Sequence, residues 1–180
     1  VNEKATPFVY FPYETEEAVR DQARGGAASL SLPYRVRSSA KNGFYSWAAQ
    51  CGIPALLLER GGQGMWSERE IEAYKENVLE LMAHLKMIEM KKNVPEEQEE
   101  ISQSYYLEAP ERGFWYPAVK EAGQIIKKGE LLGQLKSMDG TPLASYYAEA
   151  KGVILYYTVS LGVQAGDPLI AYGSLESGLM

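Results

Sequence analysis

The chain has 180 residues, with 18 Lys and Arg against 24 Asp and Glu, and a formal net charge of -6. This acidic balance argues against nucleic acid as a partner, because neutralising phosphates supplies most of that affinity. No apolar run approaches the ~20 residues of a membrane-spanning helix, so we expect no membrane partner either. A single cysteine, Cys51, excludes an internal disulfide and indicates a reducing compartment, which we take to be the cytoplasm.

The N-terminal part of the sequence predicts two short strands around a helix. Residues 7–13 alternate bulky apolar and aromatic side chains, which favours a strand or extended arm. Acids at 14–17 then open a short helix to about residue 24, since negative charge is favourable at a helix N-terminus. Gly25 and Gly26 are expected to end that helix. Residues 28–34 predict the second, weaker strand.

A polar connection with three cations follows at residues 35–43. The planar guanidinium groups of Arg35 and Arg37 are suited to clamping a substrate carboxylate, which makes both residues candidates for substrate binding. The alternative, which we favour on composition, is a solvated loop beside an acidic protein. Residues 44–50 next predict a helix ended by Gly52 and Pro54.

The strongest functional signal is an uninterrupted apolar run at residues 53–58 that ends at a carboxylate, Glu59. Such a run predicts a buried central strand of an α/β sheet. Ligands bind at the carboxyl ends of such strands, and a partly desolvated Glu next to Arg60 could act as a general base. The alternative is that Glu59 merely ends a strand and pairs with Arg60 in solvent.

Residues 52–59, Gly-Ile-Pro-Ala-Leu-Leu-Leu-Glu, and the glycine-rich stretch after them resemble the catalytic-Glu strand of the succinylglutamate desuccinylase/aspartoacylase family. Proteins of this family are zinc-dependent hydrolases related to metallocarboxypeptidases. The resemblance extends to residues 29–35 and 43–47 and into the C-terminal part, so it covers nearly the whole chain but only the C-terminal portion of such a protein.

The resemblance implies an α/β fold: a partial zinc-carboxypeptidase-like sheet with helices, followed by a small all-β domain of barrel-sandwich type. It implies that Glu59 is the general acid/base and that Tyr45 faces the substrate. Arg35, Arg37 and Arg60 are the further substrate-binding candidates.

Metal ligands are scarce in the sequence, which has one histidine, His84, and one cysteine. A catalytic zinc takes three protein ligands, and the family's His-x-x-Glu pair and later histidine are not present here. The resemblance therefore implies a zinc ion in the full-length protein, held by residues that precede this sequence. We expect no zinc on this chain and no turnover by it alone. His84 flanks an apolar helix stripe and is interpreted as structural.

Ser67 and Glu70 form a capping box that starts a long helix reaching about residue 91. Its apolar residues recur at spacings of three and four, which predicts one stripe that packs against a sheet. The members of this stripe are Ile71, Tyr74, Val78, Leu81, Leu85 and Ile88.

The composition changes after this helix, which divides the sequence into three parts. Residues 1–92 are interpreted as the C-terminal half of the α/β zinc-hydrolase domain, 93–103 as an acidic linker and 104–180 as the β-rich domain. The strands expected in the last part are 104–107, 113–117, 130–136, 144–148, 152–158 and 168–172.

A weak internal repeat, residues 123–132 against 162–169, resembles the barrel-sandwich fold of lipoyl and biotinyl carrier domains. Carriers present a lysine at a hairpin tip. The corresponding turn at 138–141 has none, and Lys136 belongs to the preceding strand, so a carrier role is disfavoured.

The sequence thus predicts the C-terminal part of a zinc-dependent hydrolase that cleaves an amide or ester bond of a small N-acylated amino-acid-like substrate. The alternative is a non-catalytic binding module or a biotinyl/lipoyl-like carrier. Because a partial sheet leaves strands unpaired, self-association through exposed sheet edges is a further expectation.

Overall fold

The computed structural model describes residues 2–90 and 98–175. These residues form two compact units. Of the described residues, the helical unit contains 7–60, 66–90 and 98–101, and the β unit contains 2–6, 61–65 and 102–175. None of the described helices is long and apolar enough to cross a membrane.

The helical unit is an α/β arrangement in which a small sheet lies beside three helices. Strand β2 lies between β1 and β4 and is parallel to both, and β3 also pairs with β1. The strands are β2 (Tyr34–Ser38) and β4 (Glu99–Ile101), together with residues 7–12 of β1 (Glu3–Pro12) and residues 57–60 of β3 (Leu57–Gly62). The helices are α1 (Glu17–Ala28), α2 (Phe44–Gln50) and α3 (Glu68–His84).

One face of this sheet is covered by α1 and α3. Val9 and Phe11 of β1 are fully buried in a cluster with Ala23 and Ala27 of α1. Leu56, Leu58 and Leu81 pack against the same cluster. Because side chains alternate along a strand, the residues of β1, β2 and β3 divide into those that face these helices and those that face away.

The second strand of the helical unit lies later in the sequence than predicted. Gly25 and Gly26 do not end α1, which continues to Ala28, and residues 29–33 form a loop. The strand is β2, so Arg35 and Arg37 belong to a strand and not to a solvated connection. Its polar residues are accommodated because β4 supplies a carboxylate beside them, a long-range pairing that local composition does not reveal.

Strand β3 also differs from the prediction. It begins at Leu57, and Glu59 is the third of its six residues, so it does not stand at the end of the strand. Ile53, expected to be buried, is 59% exposed, and every residue of β3 is half-buried. Among the described strands β3 pairs only with β1, which explains why it is not a buried central strand.

Helix α3 starts where the capping box predicts, since the Ser67 hydroxyl accepts a hydrogen bond from the Glu70 backbone N–H at 3.2 Å. It ends at His84, well before residue 91. Only part of the predicted apolar stripe is on the packed face: Leu81 packs against the cluster, but Val78 is 55% and Leu85 59% exposed. Asn77 and Glu80, which lie outside the stripe, are 3% and 4% exposed. Polar partners across the unit satisfy these two buried residues.

The β unit contains all six predicted strands, each within two residues of its expected ends. They are β5 (Ser104–Glu108), β6 (Gly113–Pro117), β8 (Leu131–Lys136), β9 (Pro142–Tyr147), β10 (Gly152–Thr158) and β12 (Pro168–Ser174). Two short strands are added, β7 (Ile125–Ile126) and β11 (Gly162–Val163). In one antiparallel set β12 lies between β10 and β5, and a second antiparallel sheet has the order β11, β6, β8, β9.

Trp115 is the largest fully buried side chain of the β unit. Its indole Nε1 donates to the carbonyl of Thr158 at 3.2 Å, which satisfies the only polar atom of the ring. A Cβ built on Gly133 would lie 2.3 Å from Trp115 Cη2, so the absence of a side chain at this position makes room for the indole.

Part of the predicted acidic linker belongs to the fold. Residues 99–101 form β4, with Glu100 paired to Arg35 in register, and residues 91–97 lie outside the described residues.

Candidate active site

Glu59 lies on the sheet face that points away from α1 and α3. Its neighbours Leu58 and Arg60 both face those helices, because Leu58 packs into the cluster and Arg60 bonds to α3. Alternation therefore directs the half-buried Glu59 side chain to the opposite face. The charge of Glu59 nevertheless reaches α3: burial raises the pKa of Tyr74, a residue of α3, and the negative charge of Glu59 raises it further.

Arg60 is held by α3. Its Nε donates to Glu70 Oε2 at 3.1 Å and its Nη1 to Asn77 Oδ1 at 3.3 Å, while Cζ lies 6.0 Å from the centre of the Tyr74 ring. With a side chain only 11% exposed, this guanidinium is part of the packing between β3 and α3.

Arg35 and Arg37 converge, together with Arg24 of α1, on the single carboxylate of Glu100. Arg35 Nε donates to Oε2 at 2.9 Å, Arg37 Nε donates to Oε1 at 2.8 Å, and Arg24 Nε donates to Oε2 at 2.7 Å. Burial alone would raise the pKa of Glu100, but hydrogen bonds from Arg35, Arg24 and Arg37 lower it to about 2. Glu100 is therefore ionised at neutral pH and holds both predicted substrate clamps.

Tyr45 contacts the end of β2. Its hydroxyl lies 2.6 Å from Ser38 Oγ, and the backbone N–H of Ala40 donates to the same Ser38 oxygen at 3.2 Å. Arg35 and Arg37 are in register with Val9 and Phe11 and face the helices, so alternation directs Ser38 to the other face. Tyr45 therefore lies on the side of the sheet to which Glu59 points.

The structure thus divides the predicted site residues into two groups. Glu59 and Tyr45 belong to the face away from α1 and α3, whereas Arg35, Arg37 and Arg60 belong to the helix-covered face. Sequence reasoning missed Ser38, because residues 34–38 were not recognised as a strand and a hydroxyl at its carboxyl end therefore carried no signal. It also missed Glu100, which was assigned to the acidic linker. The available signal was that no carboxylate partner had been predicted for Arg24, Arg35 and Arg37.

The described residues do not offer a zinc site. Among them there is no group of three or more His, Cys, Asp and Glu side chains that could hold a metal ion. His84, the single histidine, lies at the end of α3 next to Gly25 of α1, and Cys51 is exposed just after α2.

No family model matches the sequence, and no curated protein sequence matches it either. Solved structures do. The ectoine utilization protein EutE (DoeB) of Ruegeria pomeroyi, with product bound, matches with a TM-score of 0.82 at 18% identity, over 96% of this chain and 54% of that one. A succinylglutamate desuccinylase/aspartoacylase of Rhodobacter sphaeroides matches with a TM-score of 0.78 at 21% identity, over 96% and 55%.

A succinylglutamate desuccinylase of a Silicibacter species gives a TM-score of 0.79 at 18% identity, over 96% of this chain and 54% of that one. The chain therefore spans about half the length of these proteins. At such identities the likeness establishes the fold. This chain has the fold of about half of a succinylglutamate desuccinylase/aspartoacylase-type protein.

Proposed function

We propose that this chain supplies the general acid/base of a hydrolase that cleaves an amide or ester bond in a small N-acylated amino-acid-like substrate. The carboxylate is Glu59. The observation that carries the proposal is its position: a half-buried acid on the sheet face away from the helices, in a chain with the fold of desuccinylase/aspartoacylase-type proteins.

In this role Glu59 accepts a proton from the water molecule that attacks the carbonyl carbon, and then donates it to the leaving nitrogen or oxygen. The bond between carbonyl carbon and leaving group breaks, and the water oxygen remains in the carboxylic acid product. Partial burial favours such a role, because it limits competing solvation of the carboxylate. Tyr45, on the same side of the sheet, would contact the substrate through its hydroxyl.

The arginines take a different part in this proposal. Arg35 and Arg37 would bind a substrate carboxylate only by exchanging it for Glu100, and Arg60 only by leaving Glu70. We therefore assign these three side chains to the support of the sheet, and we look for the clamp of an acidic substrate elsewhere in the full-length protein.

A zinc ion belongs to the proposal only through the full-length protein. Since the described residues do not provide a ligand set, we propose that the ligands come from a part of the protein outside this sequence, and no step is assigned to the metal. The proposal places the enzyme in the cytoplasm.

The test is a hydrolysis assay of the full-length protein that contains this sequence, on a panel of N-acyl amino acids with acidic and neutral side chains. Release of free amino acid from at least one member of the panel supports the proposal. A full-length protein that binds zinc but hydrolyses no member of the panel, amide or ester, contradicts it.

No contact favours the carrier alternative. Lys136 ends β8, and its Nζ lies 4.9 Å from the centre of the Tyr116 ring. The adjoining turn presents Met138, which is 89% exposed, so the tip carries no acceptor lysine.

A further inference from the structure

An apolar cleft lies within the helical unit between α1, α3 and residues 54–56, apart from the face that carries Glu59. Its volume is about 320 Å³, at the lower end of the ~300–1,000 Å³ typical of small-molecule sites. Its apolar lining comes from Ala23, Pro54, Ala55, Leu56, Leu81 and Leu85, with Gly26 at the α1 wall.

Two consecutive glycines, Gly25 and Gly26, lie inside α1 where the cleft meets it. Each lowers helix stability by about 1 kcal/mol relative to Ala. Neither has the positive φ that would require glycine. A Cβ on Gly26 would lie 3.3 Å from Leu81 Cδ1 and 3.5 Å from Leu56 Cδ1, so it would project among the lining side chains. Glycine at these two positions therefore lets Leu81, Leu56 and His84 pack directly against α1 at the wall of the cleft, at a cost to the helix.

His84 provides a polar group at the rim of this cleft. A Cβ on Gly25 would lie 3.6 Å from both Cε1 and Nε2 of His84, so this edge of the imidazole lies against α1 at the rim of the cleft. The half-buried ring makes no hydrogen bond or ion pair with another residue that the structure describes. As the last residue of α3 it also lies where the helix dipole favours a donor or a cation.

We propose that this cleft binds a small carboxylic acid with an apolar or aromatic body. The body would pack between Leu56, Leu81 and Leu85, and the carboxylate would accept a hydrogen bond from an N–H of His84. Apolar walls with a few polar groups, here His84 and, from α1, Gln22, are the usual composition of a small-molecule site. The proposal is independent of Glu59 and of the hydrolase assignment, because none of the residues that line the cleft takes part in the proposed hydrolysis.

Phenylacetate is the probe, and its binding to this chain is measured by NMR. Because His84 is the only histidine, its ring resonances can be assigned without ambiguity. We expect saturable shifts of these resonances, together with nuclear Overhauser effects from the phenyl protons to the methyl groups of Leu56 and Leu81. Phenylacetamide, which lacks the charge, should bind at least about tenfold more weakly.

The matched variants are Gly26→Val, which fills the cleft, and Ala18→Val, which adds the same branched side chain at an exposed position of α1. Gly26→Val should weaken phenylacetate binding at least about tenfold, and Ala18→Val should leave it unchanged. Binding that is equal in both variants overturns the proposal.

The wild-type protein provides the second test, which does not depend on whether Gly26→Val folds. Absence of saturable His84 shifts, or Overhauser effects to methyl groups outside the cleft, overturns the proposal. Neither result bears on whether the full-length protein hydrolyses its substrate. A failure of the cleft proposal is therefore distinct from a failure of the Glu59 assignment.

Discussion

The buried carboxylate of Glu80, on α3, accepts a hydrogen bond from the backbone N–H of Ser31 at 2.8 Å, and the Ser31 hydroxyl donates to the same carboxylate. Asn77 Nδ2 adds a third hydrogen bond at 2.9 Å, and Asn77 in turn accepts from Arg60. This network connects α3 to the loop after α1 and to β3. It explains why α3 turns a polar face inward.

Replacing Glu80 by Ala should therefore destabilise the protein. The change removes a buried acceptor and leaves the donors of Ser31 and Asn77 without their partner, which we expect to lower the free energy of unfolding by about 2–3 kcal/mol. Urea denaturation measures this. Glu76→Ala, on the exposed side of the same helix, is the control and should change stability by less than about 0.5 kcal/mol. Equal effects of the two substitutions would show that the network does not stabilise α3.

Glu100 should make the free energy of unfolding decrease as the pH becomes acidic. Its folded-state pKa of about 2 lies below the ordinary value of 4.5, so its contribution is present above about pH 4.5 and is lost as the pH falls towards 2. At neutral pH that contribution is of the order of 3 kcal/mol.

Glu100→Gln should remove this contribution at pH 7 and flatten the decline of unfolding free energy between about pH 4.5 and 2. Thermal unfolding as a function of pH measures both effects. The neighbouring exposed residue gives the matched control, Glu99→Gln, which should retain the wild-type profile. A Glu100→Gln protein with an unchanged acid profile would contradict the role of the three arginines.

Gly133→Ala should destabilise the β unit, since the new Cβ would lie 2.3 Å from Cη2 of Trp115, a side chain that is only 1% exposed. We expect a loss of about 1–3 kcal/mol. Tryptophan fluorescence during denaturation reports on the loss. Gly162→Ala is the control, because a Cβ there meets no atom within 4 Å. Equal stability of the two variants would show that the indole can shift.

The strands of the β unit could be predicted from the sequence because local signals delimit them. Gly129, Gly140 and Gly166 have positive φ in the turns, and a strand begins two residues after each of them. Strand β2 could not be predicted in this way. Its polar residues are compatible with a strand only because Glu100, more than 60 residues later, lies beside Arg35.

The candidate site was predictable in part. Glu59 and Tyr45 could be identified as candidates because the sequence around them resembles a family strand and the segment before it. Both lie on one side of the sheet. The sequence does not distinguish an arginine that clamps a substrate from one that pairs within the protein. In the structure the carboxylate of Glu100 pairs with Arg35 and Arg37. For α3, the rule that an apolar stripe is buried failed, because the partners of Asn77 and Glu80 are distant in sequence.

Tyr45→Phe should show whether the Tyr45 hydroxyl contacts the substrate or only stabilises the fold. Loss of the 2.6 Å contact with Ser38 should lower the free energy of unfolding by about 1 kcal/mol or less. If Tyr45 contacts the substrate, KM of the full-length enzyme should rise about tenfold or more with a smaller change in kcat. Ser38→Ala removes the same contact from the other side, together with the hydrogen bond from the Ala40 N–H, and should lower stability at least as much while leaving KM unchanged. A KM equal to wild type in Tyr45→Phe would contradict the substrate contact.

The most direct test of the central proposal is Glu59→Gln in the full-length protein, with kcat and metal content measured on the same preparation. Glu76→Gln on α3 serves as the control for removing a carboxylate. If Glu59 transfers the proton, kcat should fall by about 10²–10⁴-fold, while metal content and the unfolding transition remain those of the wild type. A Glu59→Gln enzyme that retains wild-type kcat would contradict the account.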